Sequence, residues 1–140
     1  GHVEVVAYTA VDDVGVMLQP HVIEGQIMGG VAQGLGQALG ERLRYDLQGQ
    51  LLTGSFMDYP MPRADTVPAM VIAHHSVPCR TNPLGVKGAG ESGVAGSLPS
   101  AMNAVLHALS YAGVSALDMP FTSERVWQAL QAAQPAQRLA

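Results

Sequence analysis

The segment Thr81-Asn82-Pro83-Leu84-Gly85-Val86-Lys87-Gly88-Ala89-Gly90-Glu91-Ser92-Gly93 sets one carboxylate in a run of small residues. Gly85, Gly88, Gly90 and Gly93 admit backbone geometries closed to other residues and let a bulky group approach the main chain. Glu91 at the end of such a loop has two readings. It is a solvated turn residue, the commoner fate of a charge in a glycine-punctuated stretch, or it is a base aimed into a pocket. A base must lie within hydrogen-bond reach of the proton it takes, so the second reading needs a neighbouring element to complete the pocket.

A second glycine-rich element supplies a candidate. Residues 24–43 place Ile27, Val31, Leu35, Ala38, Leu39 and Leu43 at helical spacing. The same stretch holds Gly29, Gly30, Gly34, Gly36 and Gly40. Each interior glycine costs a helix roughly 1 kcal/mol against alanine. Close packing of another backbone or of a bulky ligand must offset that cost. Gln26, Gln33 and Gln37 fall near one face of this helix. They form either the surface edge of a tightly packed core helix or a set of amide donors and acceptors for a polar heterocycle.

Other constellations carry less. Gly88-Ala89-Gly90-Glu91-Ser92-Gly93 has the spacing G-x-G-x-x-G. A dinucleotide site, however, needs a strand running directly into the motif and a helix starting within it. Pro83 and Gly85 precede it, so the match is read as accidental. His74-His75, if in a strand, point to opposite faces, and no H-E-x-x-H spacing occurs. No metal-ligand set is expected on the chain. Asp12-Asp13 lack the further ligands of a calcium loop. Ser55, Ser76 and Ser92 stand in no nucleophile elbow. Cys79 reads as a small buried residue.

The elements around these candidates follow from pattern. Residues 3–11 are rich in β-branched side chains and end at Asp12-Asp13 and Gly15, a strand and turn signal. Val16-Met17-Leu18 reads as the returning strand, closed by Pro20. Residues 45–50 suggest a hairpin turn before Leu51-Leu52. Pro60, Pro62 and Pro68 keep 57–68 irregular, and 69–77 reads as a strand. A helix is expected over 98–112, with Ser97 as its cap and Pro99 in its first turn. A last helix is expected over 123–133, capped by Thr122 or Ser123, with 134–140 as a frayed tail. This order predicts an α+β fold of short strands and hairpins packed with about three helices. Residues 1–133 are expected to form one domain or part of one.

Composition narrows the function classes. Hydrophobic residues make up 48% and charged ones 13% of the 140, which suits a folded domain whose surface is partly covered by something else. Seven Lys+Arg against 11 Asp+Glu give a formal net charge of −4, with no basic stripe for nucleic acid. The single cysteine permits no internal disulfide and points to a reducing, cytoplasmic setting. It also rules out a four-thiolate iron–sulfur cluster on this chain. No apolar run approaches the ~20 residues of a membrane span. The opening Gly1-His2-Val3-Glu4-Val5 has no signal-peptide pattern and reads as the middle of a strand, as in a fragment of something longer.

Taken together, four blocks resemble the molybdopterin-binding large subunits of the xanthine dehydrogenase, aldehyde oxidase and aerobic carbon monoxide dehydrogenase family. They are Gly25-Gln26-Ile27-Met28-Gly29-Gly30-Val31-Ala32-Gln33-Gly34-Leu35-Gly36-Gln37-Ala38-Leu39 and Gly85-Val86-Lys87-Gly88-Ala89-Gly90-Glu91, with Gly54-Ser55-Phe56-Met57-Asp58-Tyr59-Pro60-Met61-Pro62 and Asp118-Met119-Pro120-Phe121-Thr122-Ser123-Glu124-Arg125-Val126-Trp127 in support. The resemblance implies the C-terminal part of such a subunit. It also implies an enzyme that oxidises an aldehyde, an N-heterocycle or carbon monoxide with water at a molybdenum–pterin cofactor, carried as a cytosine dinucleotide. Glu91 then matches the general base, and Gln26 a pterin contact. Lys87, Gly88, Ala89 and Gly90 match a loop whose backbone lies beside the cofactor. The implied partners are the rest of the subunit, iron–sulfur and flavin chains that take the electrons, and a small-molecule substrate. The alternatives are an inactive isolated domain or truncated product and a non-enzymatic interaction module.

Overall fold

The computed structural model describes residues 1–133, so the tail expected at 134–140 lies outside the described residues. Five elements follow in order: β1 (Tyr8–Asp12), α1 (Pro20–Leu39), β2 (Met70–His74), α2 (Ser92–Ser110) and α3 (Ser123–Ala133). The fold is α+β, with three helices and two short strands. No helix among the described residues is long and apolar enough to cross a membrane.

The strands pair in parallel, Tyr8 opposite Met70 through to Asp12 opposite His74, with α1 in the crossover between them. The expected hairpin of residues 3–11 with 16–18 does not form. Parallel pairing requires a long crossover connection, and Pro20 opens that crossover helix instead of closing a strand. Proline suits the first helical position because its missing N–H would have no partner there. Only the second half of 3–11 is strand. Val3 and Val5 still pack against the two apolar clusters, but they find no ladder partner among the described residues. In both strands alternate residues face inward: Tyr8, Ala10 and Asp12 beside Met70, Ile72 and His74.

The expected turn at 45–50 is present. Tyr45 and Leu51 bridge antiparallel, Gly49 takes φ 81°, and Asp46 Oδ1 accepts the amides of Gln48 and Gln50 at 2.9 and 2.8 Å. Residues 57–68 contain neither helix nor strand, as the prolines predict. The last helix has its expected bounds, with the Thr122 hydroxyl accepting the Arg125 amide.

The core is the α1–α2 pair. Ile27, Val31, Leu35 and Ala38 form the buried stripe of α1 and meet Ala101 and the inner faces of the strands. Along α2, Gly93, Ser97, Ala101, Val105 and Leu109 are buried at strict four-residue spacing. The small members of that ridge let the N-terminal half lie close against α1. The large ones join Val114, Phe121 and Val126 in a second cluster under α3.

Two expectations about α2 fail for one reason. The helix begins at Ser92, not after Ser97, so Ser97 is a fully buried interior residue and no cap. Glycines and serines at 92–97 look like loop on propensity, but tertiary packing onto α1 decides the outcome. Pro99 is accommodated on the exposed side of the helix.

A candidate cofactor wall and catalytic base

Asp13, the first residue after β1, ties three segments together. Its Oδ1 accepts the amides of Gly15 and Val77, both at 3.0 Å, and its Oδ2 accepts Lys87 Nζ at 2.6 Å. The Lys87 ammonium, followed by the Val77 and Gly15 amides, holds the Asp13 carboxyl well below the usual carboxylate range. One side chain thereby joins the β1 exit, the β2 exit and the glycine loop.

Main-chain bonds zip the loop to the same place. Val16 donates to the Gly85 carbonyl at 2.9 Å, Lys87 donates to that of Val14 at 3.0 Å, and Cys79 donates to Gly85 at 2.9 Å. Gly15 and Gly85 both take left-handed φ values, 65° and 66°. At Gly85 a Cβ would also press on Val16 and Pro78. Asn82 clasps Val86 from both sides, its Nδ2 donating to the carbonyl at 3.0 Å and its Oδ1 accepting the amide at 3.3 Å. Cys79 is half-buried, not buried as expected. Its Sγ lies 3.1 Å from the Thr81 hydroxyl, and that contact draws the thiol pKa down.

Beyond Lys87 the bracing stops. No acceptor among the described residues takes the amides of Gly88, Ala89, Gly90 or Glu91. A Cβ at Gly88 or Gly90 would meet nothing within 4 Å. The Ser92 hydroxyl donates to the Ala89 carbonyl at 2.9 Å and turns the chain into α2. Glu91 is the N-cap residue; its carbonyl accepts the Ala95 amide at 3.0 Å, while its side chain is exposed and makes no hydrogen bond or ion pair among the described residues. A helix therefore does start within the G-x-G-x-x-G spacing, against expectation. Residues 75–87 still separate it from β2, so the strand that a dinucleotide fingerprint requires is missing.

Helix packing brings Gln26 to this end. A Cβ at Gly93 would strike the Ile27 backbone, and one at Gly30 would lie 2.6 Å from the Val94 amide nitrogen. Gln26 is thus one residue from the α1 side of that contact, and Glu91 two from the α2 side. Gln26 is exposed, flanked by Gly25 and Gly29, whose faces are open. Gln33 is exposed and Gln37 half-buried, farther along α1 toward its C-terminus. Of the sequence-predicted residues, Gln26, Gly88, Ala89, Gly90 and Glu91 gather at one end of the helix pair. Lys87 joins them through its backbone, with its amine turned to Asp13.

Free amides beside a helix N-terminus suit an anionic, oxygen-rich group, because the donors and the helix dipole act in the same sense. No group of three metal-ligating side chains occurs among the described residues. This donor set fits a cofactor that brings its own metal ligands. Sequence reasoning missed Asp13, which it weighed only as a calcium ligand. Asp12 and His74, weighed in the sequence only as metal ligands, stand opposite each other in register, and their buried Oδ2, Nδ1 and Nε2 have no partner among the described residues.

Comparison with known proteins identifies the family. Residues 1–68 match the family model described as a molybdopterin cofactor-binding domain. The carbon monoxide dehydrogenase large chain of Hydrogenophaga pseudoflava is 41% identical over 131 residues, which are 94% of this chain and 16% of the relative. The nicotine 6-hydroxylase large subunit of Paenarthrobacter nicotinovorans is 43% identical over 129 residues, again 16% of its length. The crystal structure of quinoline 2-oxidoreductase from Pseudomonas putida 86 superposes with a TM-score of 0.85 at 40% identity, over 90% of this chain and 16% of that one. The chain belongs to the molybdopterin-binding large subunits of the xanthine dehydrogenase, aldehyde oxidase and aerobic carbon monoxide dehydrogenase family, and it spans 16% of the length of these relatives.

Proposed function

We propose that the chain forms one wall of the molybdenum–pterin site in the C-terminal part of such a large subunit, and that Glu91 is the general base. The observation that carries this is the setting of Glu91. Its carboxylate is exposed and unpaired at the start of α2, directly after three residues with free amides and across a glycine contact from Gln26. Glu91 neither caps its helix nor pairs with Lys87, so its carboxylate is free to act on a group held by the neighbouring amides.

The bound molybdenum–pterin group supplies the two-electron oxidation. The chain supplies position and proton transfer. The amides of Gly88, Ala89 and Gly90 and the N-terminus of α2 hold the negatively charged part of the cofactor, and the Gln26 side chain orients its heterocycle. A Glu91 oxygen accepts a proton from the attacking water, which makes the oxygen nucleophilic toward an aldehyde, an N-heterocycle or carbon monoxide. The cofactor is the cytosine dinucleotide form. Electrons leave through iron–sulfur and flavin chains in a cytoplasmic complex.

Glu91→Gln keeps the size of the side chain and removes the proton acceptor. In the full-length enzyme, turnover at matched molybdenum content is expected to fall by ~10²–10⁴-fold. Turnover within a few-fold of the parent would refute the base and leave Glu91 a solvated turn residue.

A further inference from the structure

We infer that Asp13 is a positioning residue for the base: its carboxylate, held by Lys87 and by the amides of Gly15 and Val77, sets the place from which the Gly88–Glu91 backbone departs. The inference rests on the reading of Glu91 given above. Three observations support it.

The first is reach. Asp13 lies 64 residues from Val77 and 74 from Lys87 in sequence, yet bonds both. No other side chain among the described residues hydrogen-bonds to both a strand exit and the glycine loop.

The second is where restraint ends. Between Lys87 and the turn made by Ser92, the chain has no amide bonded within the described protein. The carboxylate of Glu91 is therefore aimed from two ends, by the docking of Gly93 on Ile27 and by the hold on Lys87, whose amide is bonded to the Val14 carbonyl and whose amine is bonded to Asp13. Loosening one anchor lets the segment swing about the other.

The third is exposure. The two side chains are 34% and 35% exposed, and a pair this open contributes little to global stability. Its geometry is nevertheless short, charge-assisted and shared with two amides, a tighter arrangement than a surface ion pair requires. Small displacements of a reacting group cost large factors in rate, about 10²-fold for 1 Å. The effect of Asp13 belongs in turnover more than in folding.

The test uses the full-length subunit with its native partners and a double-mutant cycle. Asp13→Asn keeps an oxygen for the Gly15 and Val77 amides and removes the charge that holds Lys87. At matched molybdenum content its turnover is expected to fall about 10-fold or more. In a Glu91→Gln background the same change is expected to alter the residual rate less than about 3-fold, because a positioning residue has nothing left to position. Losses that multiply would overturn the inference while leaving Glu91 as the base. So would activity lost only in proportion to molybdenum content. Parent-like turnover of Glu91→Gln alone would remove the base reading and this inference together. If Asp13→Asn fails to assemble, Lys87→Gln breaks the pair from the other side and leaves both amide bonds intact. Parent-like turnover of that variant would also overturn the inference.

Discussion

The hydroxyl of Ser97, fully buried in α2, donates to the carbonyl of Gly30 in α1 at 3.2 Å. The same helix surface is at backbone contact, since a Cβ at Gly34 would lie 2.8 Å from the Leu98 amide nitrogen and 2.9 Å from Ser97 Cβ. Glycine on one helix and a small hydroxyl on the other let the two main chains meet. The N-terminus of α2, with Glu91 on it, is thereby set against the α1 turn that carries Gln26. The glycines that weaken α1 as a helix bring the candidate site together.

Ser97→Ala removes the bond but not the close approach. The expected cost is about 0.5–1.5 kcal/mol, because the Gly30 carbonyl keeps a place in the helical ladder of α1. A denaturant midpoint that drops with unchanged slope would report it, and no change at all would show the hydroxyl to be incidental.

Gly34→Val tests the close approach itself. An added isopropyl group has nowhere to go against Ser97 and Leu98, so the helices must separate, at about 1–3 kcal/mol for an overpacked core. Gly29→Ala provides the contrast, since a Cβ there meets nothing within 4 Å and alanine gains up to ~1 kcal/mol in helix propensity. Thermal melts of the 140-residue chain should move in opposite directions. Equal melting of Gly34→Val and the parent would refute the packing.

How much of this was legible follows from which forces act locally. The buried stripe of α1 is a periodic pattern, and the glycine cost announces a close neighbour, so both were readable. The position of α3 was readable from its cap and apolar spacing. The parallel pairing of β1 with β2 was not, because it is a contact between residues 62 apart in register (8 with 70), and the nearer Val16-Met17-Leu18 competed for the same strand. The start of α2 at Ser92 was hidden because glycine and serine suit both a loop and a tight helix interface. In the site, Glu91 and Gln26 were flagged by residue type and by the resemblance. Asp13 was not, since its role consists of three bonds to residues that the fold brings from elsewhere.

Asp13 should also leave a signature in acid. Its folded pKa lies below the unfolded carboxyl value, so its contribution to stability is present above the unfolded pKa, about 3.9, and is lost as pH falls through the folded value. The gap in melting midpoint between the full-length parent and Asp13→Asn, small because the pair is open to solvent, should therefore stay level from about pH 8 to about pH 4 and close only in stronger acid. A gap that closes between about pH 7 and about pH 5 would point to a histidine instead of this carboxylate.

The 140-residue chain by itself is expected to bind the molybdenum cofactor weakly or not at all. It offers one loop of free amides, one helix start and the Gln26 side chain, all on an open face. No trio of metal-ligating side chains exists among the described residues to hold molybdenum directly. Ligand sites of drug-sized molecules enclose about 70–90% of the ligand surface, and a single wall falls well short of that. The relatives it matches are about six times longer, since the chain spans 16% of their length, which leaves ample protein to close the site. Metal analysis of the purified chain, expressed in cells that make the cofactor, should find molybdenum far below one per chain. Stoichiometric molybdenum would show instead that the loop and the two helices suffice.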